Sequence, residues 1–228
     1  PPTSTFLLTM ALIFEGLTFL HQFIYGRMHR VTEKRDNPLK VGVLSTATIN
    51  IGGSAYLPYA PSLSSKQTRA VIKPVETHDD VLLWGIASRD ASTAESYKNR
   101  YGFKRSYPSY EALLADPEIH FVYISLPNAL HYEWAAKSLE AGKHVLLEKP
   151  FTSNALEAEK LFHIAEQQGK ILMEGFHWQF HPAAHRFREI LDSGKLGRIV
   201  KTDAQMTSTP AVPASDIRWK WELSGGSL

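Results

Sequence analysis

Glu148, Lys149 and Pro150 set an ammonium group between a carboxylate and a ring that fixes the backbone. They follow His144 to Leu147, a short apolar run that reads as a strand. A lysine at the mouth of a parallel sheet is an unusual place to leave a cation unless it is used. Pro150 can hold a tight turn there with a cis bond. The tripeptide itself is common, so its position carries the information. Ser88 and Arg89 end another apolar run, Val81 to Ser88. That pair suits a phosphate, such as the 2′-phosphate of NADP, through charge-assisted hydrogen bonds. An acidic residue at the same place would suit the ribose diol of NAD. The alternative is a solvated arginine ahead of a helix cap.

Ser45, Ala47 and Asn50 fall on the three glycine positions of a G-x-G-x-x-G turn. Small residues at the first two still allow a pyrophosphate to approach the backbone. Asn50 weakens the match, and an ordinary strand-to-helix turn is the competing reading. Asn128 and His131 follow a third run, Phe121 to Leu126, at a helix start. His177, His181 and His185 recur every fourth residue, as on a metal-binding helix face. Pro182 belongs at a helix start, however, which leaves His177 outside, and no carboxylate cluster accompanies them. No metal is expected.

The elements that must position these residues alternate. Strands are expected at Leu39–Leu44, Val81–Ser88, Phe121–Leu126, His144–Leu147 and Lys170–Glu174. Asp90 reads as the cap of a helix in which Ala94, Tyr97 and Tyr101 share a face and which ends at Gly102. Asn128 reads as the cap of the next helix, which carries a Glu133–Lys137 pair and stops at Gly142. Asn154 and Glu157 have capping-box spacing, ahead of an apolar face of Ala158, Leu161, Phe162 and Ala165. Continuous apolar strands alternating with helices indicate an α/β fold with a doubly wound parallel sheet. Beyond Glu174 the pattern changes. Pro182 opens a helix with Phe187, Ile190 and Leu191 inward, and Ile199 to Thr207 alternates like a half-buried strand. This reads as the start of an α/β substrate domain with a mostly antiparallel sheet. The expected division is 1–38, an apolar helix and linker, then 39–176, the nucleotide-binding domain, then 177–228. Residues 51–69 interrupt the second part, because a strand-to-helix loop is normally about 2–6 residues.

The chain has 228 residues, 43% hydrophobic and 21% charged, with a formal net charge of +2. That is the profile of a globular protein with a buried core, and it shows no basic run for nucleic acid. The absence of cysteine excludes disulfides, thiolate metal sites and a cysteine nucleophile. Phe6 to Tyr25 is long enough for a membrane span, but Glu15 sits at its centre, which favours a helix packed on protein. A membrane anchor and a targeting segment stay open as alternatives. The chain starts at Pro1 and ends at Gly225-Gly226-Ser227-Leu228, which reads as a fragment.

In order along the chain, Lys40 to Asn50, Ser88-Arg89-Asp90, Pro127-Asn128-x-x-His131, Glu148-Lys149-Pro150 and Glu174-Gly175-Phe176-His177-Trp178 resemble the Gfo/Idh/MocA oxidoreductases. Within that family the chain is similar to dimeric dihydrodiol dehydrogenases and NADP-dependent D-xylose 1-dehydrogenases of fungal type. The resemblance implies a Rossmann domain, a second α/β domain, and hydride transfer between a sugar or diol carbon and NADP, with NAD as the other option. It implies cofactor contacts from Ser45, Thr46, Ala47, Ile49, Asn50, Ser88, Arg89, Leu126, Pro127, Asn128, His131, Glu148, Lys149 and Trp178. Lys149 would position and polarise the reacting hydroxyl as the catalytic residue, and Arg218 would join it on the substrate side.

The chain departs from the family pattern in several places. Ser45 stands where the family keeps a glycine, and Gln179 where it commonly has arginine. The segment 51–69 has no family counterpart and reads as an unspliced intron or a gene-model error. The family's substrate-binding Asp and its Tyr or His acid/base follow the glycine pair, past Leu228. Three functions are therefore open: a cytoplasmic NADP-dependent enzyme for a small sugar or diol, a non-catalytic dinucleotide-binding protein, and a membrane-tethered interaction module. A homodimer is expected only with the second domain complete.

Overall fold

The computed structural model describes residues 34–46, 71–205 and 219–224. The chain divides into two compact units: residues 31–175 with 211–228, and residues 1–30 with 176–210. Phe6 to Tyr25 and the segment 51–69 lie outside the described residues. Among the described residues, no helix is long and apolar enough to cross a membrane.

The first unit is a six-stranded sheet in the order β3-β2-β1-β4-β5-β6, every pairing parallel. Its strands are β1 (Leu39–Leu44), β2 (Val81–Ala87), β3 (Arg105–Tyr107), β4 (Phe121–Ile124), β5 (His144–Glu148) and β6 (Leu172–Gly175). The sequence reading missed β3 and the short helix α3 (Tyr110–Leu114), because three residues of strand have no visible period. Strand order reverses between β1 and β4, and a doubly wound sheet of this order opens its ligand crevice at that point.

Side chains alternate across each strand, so one set of strands builds two cores. On one face Val41, Val43, Leu83, Ile86 and Tyr123 pack with Val71, with Ile72 and Val75 of α1 (Ile72–Thr77) and with Phe103. On the other face Leu44, Val122, Ile124, Val145 and Leu147 meet α3, α4 (His131–Glu140) and α5 (Ala155–Gln167). Gly42 suits this packing, because a Cβ there would stand 2.7 Å from Leu113 Cδ2 and force that side chain to shift. The helix signals act as expected for α2 (Ala91–Tyr101) and α5. Asp90 accepts from Ser92 N at 3.0 Å, and Asn154 accepts from Glu157 N at 3.0 Å. The Glu157 carboxylate reaches back to Ser153 N at 3.0 Å, one residue before the expected partner. Phe162, expected in the core, is 57% exposed and stacks on Phe151 at 5.2 Å instead.

In the second unit Pro182 is the first residue of α6 (Pro182–Asp192), and the His181 ring caps it, accepting from Ala183 N at 3.1 Å. Two expectations fail here. Phe187 is 61% exposed and Ile190 is 36% exposed, since no described element of their unit covers the apolar stripe. The described part of the expected strand, 199–205, forms none, and Val200 is 80% exposed. Alternation specifies a strand only where a neighbouring strand completes the ladder.

Candidate functional site

The carboxyl ends of β1, β2, β4 and β5 gather most of the expected site residues that the structure describes. At the tip of β1, Ser45 has φ +109°, a conformation in which glycine is usual. The chain therefore takes the glycine-type turn of the fingerprint with a serine in place. Ser45 N donates to Ala87 O at 3.0 Å, which ties this turn to the end of β2. Thr46 Oγ1 lies 3.4 Å from Ser88 Oγ. Ala47, Ile49 and Asn50 lie outside the described residues.

The tip of β2 carries the pair expected to meet the adenosine ribose. Ser88 is buried and Arg89 is exposed beside it. Asp90, the nearest carboxylate, is already used. Ser92 N and Oγ donate to it, and Thr93 Oγ1 donates at 2.7 Å. The Thr93 and Ser92 hydrogen bonds hold its carboxyl below the usual aspartate range. Asp90 is thus committed to capping α2, and the residues at the end of β2 itself are a hydroxyl and a guanidinium, Ser88 and Arg89. This donor set fits the 2′-phosphate of NADP. Tyr110 lies within reach of the Arg89 charge; burial pushes its phenol up and Arg89 acts in the opposite sense.

Beyond β4 the residues differ from their expected roles. Asn128 caps no helix: it opens a single 3-10 turn, Asn128–Leu130, and its amide donates to Ser224 O at 2.9 Å. Ser224 Oγ is also 2.7 Å from Ser153 Oγ, so residues 219–224 rest on the turns that follow β4 and β5. His131 is fully buried, and its side chain presents nothing to a ligand. Its Nδ1 is 2.8 Å from Pro150 O and its Nε2 is 2.9 Å from Leu126 O. It therefore pins the exit of β4 to the Pro150 turn from inside. Leu126 is 8% exposed and Pro127 is half-buried beside it.

Lys149 follows β5 with its side chain exposed, and its bond to Pro150 is cis. Glu148 points the other way and is 3% exposed. Its Oε1 accepts from Tyr123 OH at 2.6 Å and its Oε2 accepts from Lys149 N at 3.2 Å. Burial, with the Glu148 charge adding to it, pushes the Tyr123 phenol upward. The sequence reading missed Tyr123. The available signal was a phenol inside the apolar run FVYISL, since a buried tyrosine hydroxyl requires a partner. Trp178 belongs to the other unit, where its indole stacks on the His181 ring at 5.2 Å. Arg218 lies outside the described residues.

Residues 64–176 match the oxidoreductase family with an NAD-binding Rossmann fold, Gfo/Idh/MocA. The chain belongs to the Gfo/Idh/MocA oxidoreductase family. Among its relatives is a dTDP-3,4-didehydro-2,6-dideoxy-α-D-glucose 3-reductase of Actinomadura kijaniata. It is 35% identical over 192 residues, covering 84% of this chain and 52% of that protein. A D-xylose 1-dehydrogenase (NADP(+)) of Haloferax volcanii is 41% identical over 143 residues, covering 63% of this chain and 44% of that protein. The crystal structure of a 3-ketoreductase from A. kijaniata in complex with NADP superposes with a TM-score of 0.60. It shares 35% identity and covers 71% of this chain and 46% of that one. The chain thus spans about half the length of the curated relatives it matches.

Proposed function

We propose that this chain carries the cofactor half of an NADP-dependent oxidoreductase acting on a hydroxyl-bearing carbon of a sugar or a trans-dihydrodiol. The observation that carries the reading is Lys149. Its ammonium stands exposed at the carboxyl edge of a Rossmann sheet while its backbone is fixed to a buried carboxylate. Ser88 and Arg89 would hold the 2′-phosphate, and the turns at Ser45–Thr46 and Leu126–Asn128 would line the dinucleotide. When bound, NADP supplies a two-electron acceptor for the hydride of the carbinol carbon. Lys149 would donate a hydrogen bond to the oxygen of that carbon and stabilise the charge that develops as its proton leaves. The base that takes this proton is assigned to none of the described residues. Two relatives named for sugar chemistry support the substrate class.

The test is run on the full-length protein that contains this chain. NADPH should quench tryptophan fluorescence, and D-xylose should reduce NADP. Lys149→Ala should lower kcat by about 10²–10⁴-fold, the range of a positioned proton-handling group, with NADPH affinity nearly unchanged. Tight NADPH binding without turnover of any sugar or diol would instead establish a non-catalytic dinucleotide sensor. We also place the protein in the cytoplasm, and as a homodimer only where the second domain is complete, which cell fractionation and light scattering would check.

A further inference from the structure

We infer that Tyr123 is a positioning residue for Lys149, acting through the buried Glu148 carboxylate. The inference rests on the reading of Lys149 given above. Three observations carry it. Tyr123 is 2% exposed and Glu148 is 3% exposed, so solvent satisfies neither group. The Glu148 carboxylate bridges two donors on separate elements. Tyr123 OH on β4 reaches Oε1 at 2.6 Å, and Lys149 N at the end of β5 reaches Oε2 at 3.2 Å. Gly175 on β6 lies against this carboxylate, since a Cβ there would meet Glu148 Oε1 at 3.5 Å, an ordinary contact, and Leu147 O at a tighter 3.3 Å.

The physical consequence is a fixed carboxylate. A glutamate at a strand end can rotate about three bonds, and a single backbone donor does not select one rotamer. The phenol does, because Tyr123 is held in the core by Val41, Val43, Ile72 and Ile86. Its hydroxyl is therefore a fixed point deep in the sheet, and Glu148 transmits that point to the Lys149 backbone. Misplacing a catalytic group by about 1 Å can cost on the order of 10²-fold in rate.

The experiment compares the wild-type full-length protein with Tyr123→Phe and with Tyr101→Phe. The second variant removes a buried hydroxyl that has no hydrogen-bond partner among the described residues. Three quantities are read: NADPH affinity, kcat with KM for the sugar, and hydrogen exchange of the Lys149 amide against amides of β1. For Tyr123→Phe, kcat should fall at least tenfold, with NADPH affinity and KM within threefold of wild type. The Lys149 amide should exchange at least tenfold faster while the β1 amides keep their protection. Tyr101→Phe should change none of these. Unchanged exchange at Lys149 overturns the inference, as does a loss of protection spread equally over β1. A wild-type protein that binds no NADPH would defeat the functional reading alone, since the exchange comparison needs no turnover. Glu148→Gln provides a second check. Combined with Tyr123→Phe, it should cause no further loss of kcat, and additive losses also overturn the inference.

Discussion

At the scale of single residues, the site is a matter of which polar groups are left over. Asp90 is used by the α2 cap, His131 by two carbonyls and Glu148 by Tyr123 and Lys149 N, which leaves Arg89 and Lys149 exposed, with the buried Ser88 hydroxyl beside Arg89. Arg89→Ala should therefore weaken NADPH by about 10- to 100-fold, the loss of one charge-assisted hydrogen bond worth about 1.5–3 kcal/mol. NADH affinity should stay the same, because NADH lacks the 2′-phosphate. Parallel titrations with the two cofactors measure this, and an equal loss for both would remove Arg89 from phosphate recognition. Ser45 makes a second case. A side chain at φ +109° is strained by about 1–3 kcal/mol, and glycine relieves that at an entropic cost of about 0.5–1 kcal/mol. Ser45→Gly should raise Tm by a few degrees in a thermal melt; an unchanged or lower Tm would mean that the serine's own contacts outweigh the strain.

At the scale of elements, the opposite edge of the sheet is held by Asp116, between α3 and β4. Its Oδ2 accepts from Trp84 Nε1 at 3.0 Å, from Arg105 at 3.1 Å and from the Tyr107 hydroxyl. Burial alone would raise its carboxyl. The donors from Tyr107, Glu118 N and Trp84, with the Arg105 charge, outweigh that and lower it to about 2. A group depressed in the folded state stabilises the fold above its unfolded value of 3.8. That contribution is lost as pH falls from about 4 toward about 2. Urea melts between pH 5 and pH 2 should show this loss in the wild type and a flatter profile in Asp116→Asn. Identical profiles would assign the acid sensitivity to other carboxylates.

At the scale of the whole molecule, residues 51–69 separate β1 from α1. The family match begins at residue 64, within that segment. In a Rossmann domain the first strand closes onto its helix through a short phosphate-binding turn, and α1 here has only six residues. Deleting residues 52–69 joins Ile51 to Ala70. The product should gain helix by circular dichroism and bind NADPH at least tenfold more tightly. Equal or weaker binding would show the segment to be a genuine part of the cofactor turn.

The elements of the sheet were legible in the sequence because buried parallel strands are short apolar runs and their helices begin and end on capping residues. β1 was read with its boundaries, and Asp90, Gly102, Asn154 and Gly169 marked the helix ends. The motif Glu148-Lys149-Pro150 was legible as a location. Its division of labour was not: the exposed lysine and the buried glutamate differ only in which side of the strand end each occupies. His131 and Asn128 looked like ligand contacts because they follow a strand tip, yet one is bolted inside and the other holds Ser224. The strand expected at 199–207 failed for a related reason, since alternation is a local property and a ladder is not. The sequence by itself determined the doubly wound fold and which strand ends carry polar groups, because both depend on local periodicity. Only the tertiary structure decided which of those groups are exposed and that Tyr123 lies beneath Glu148, because that pairing joins residues 25 positions apart on neighbouring strands.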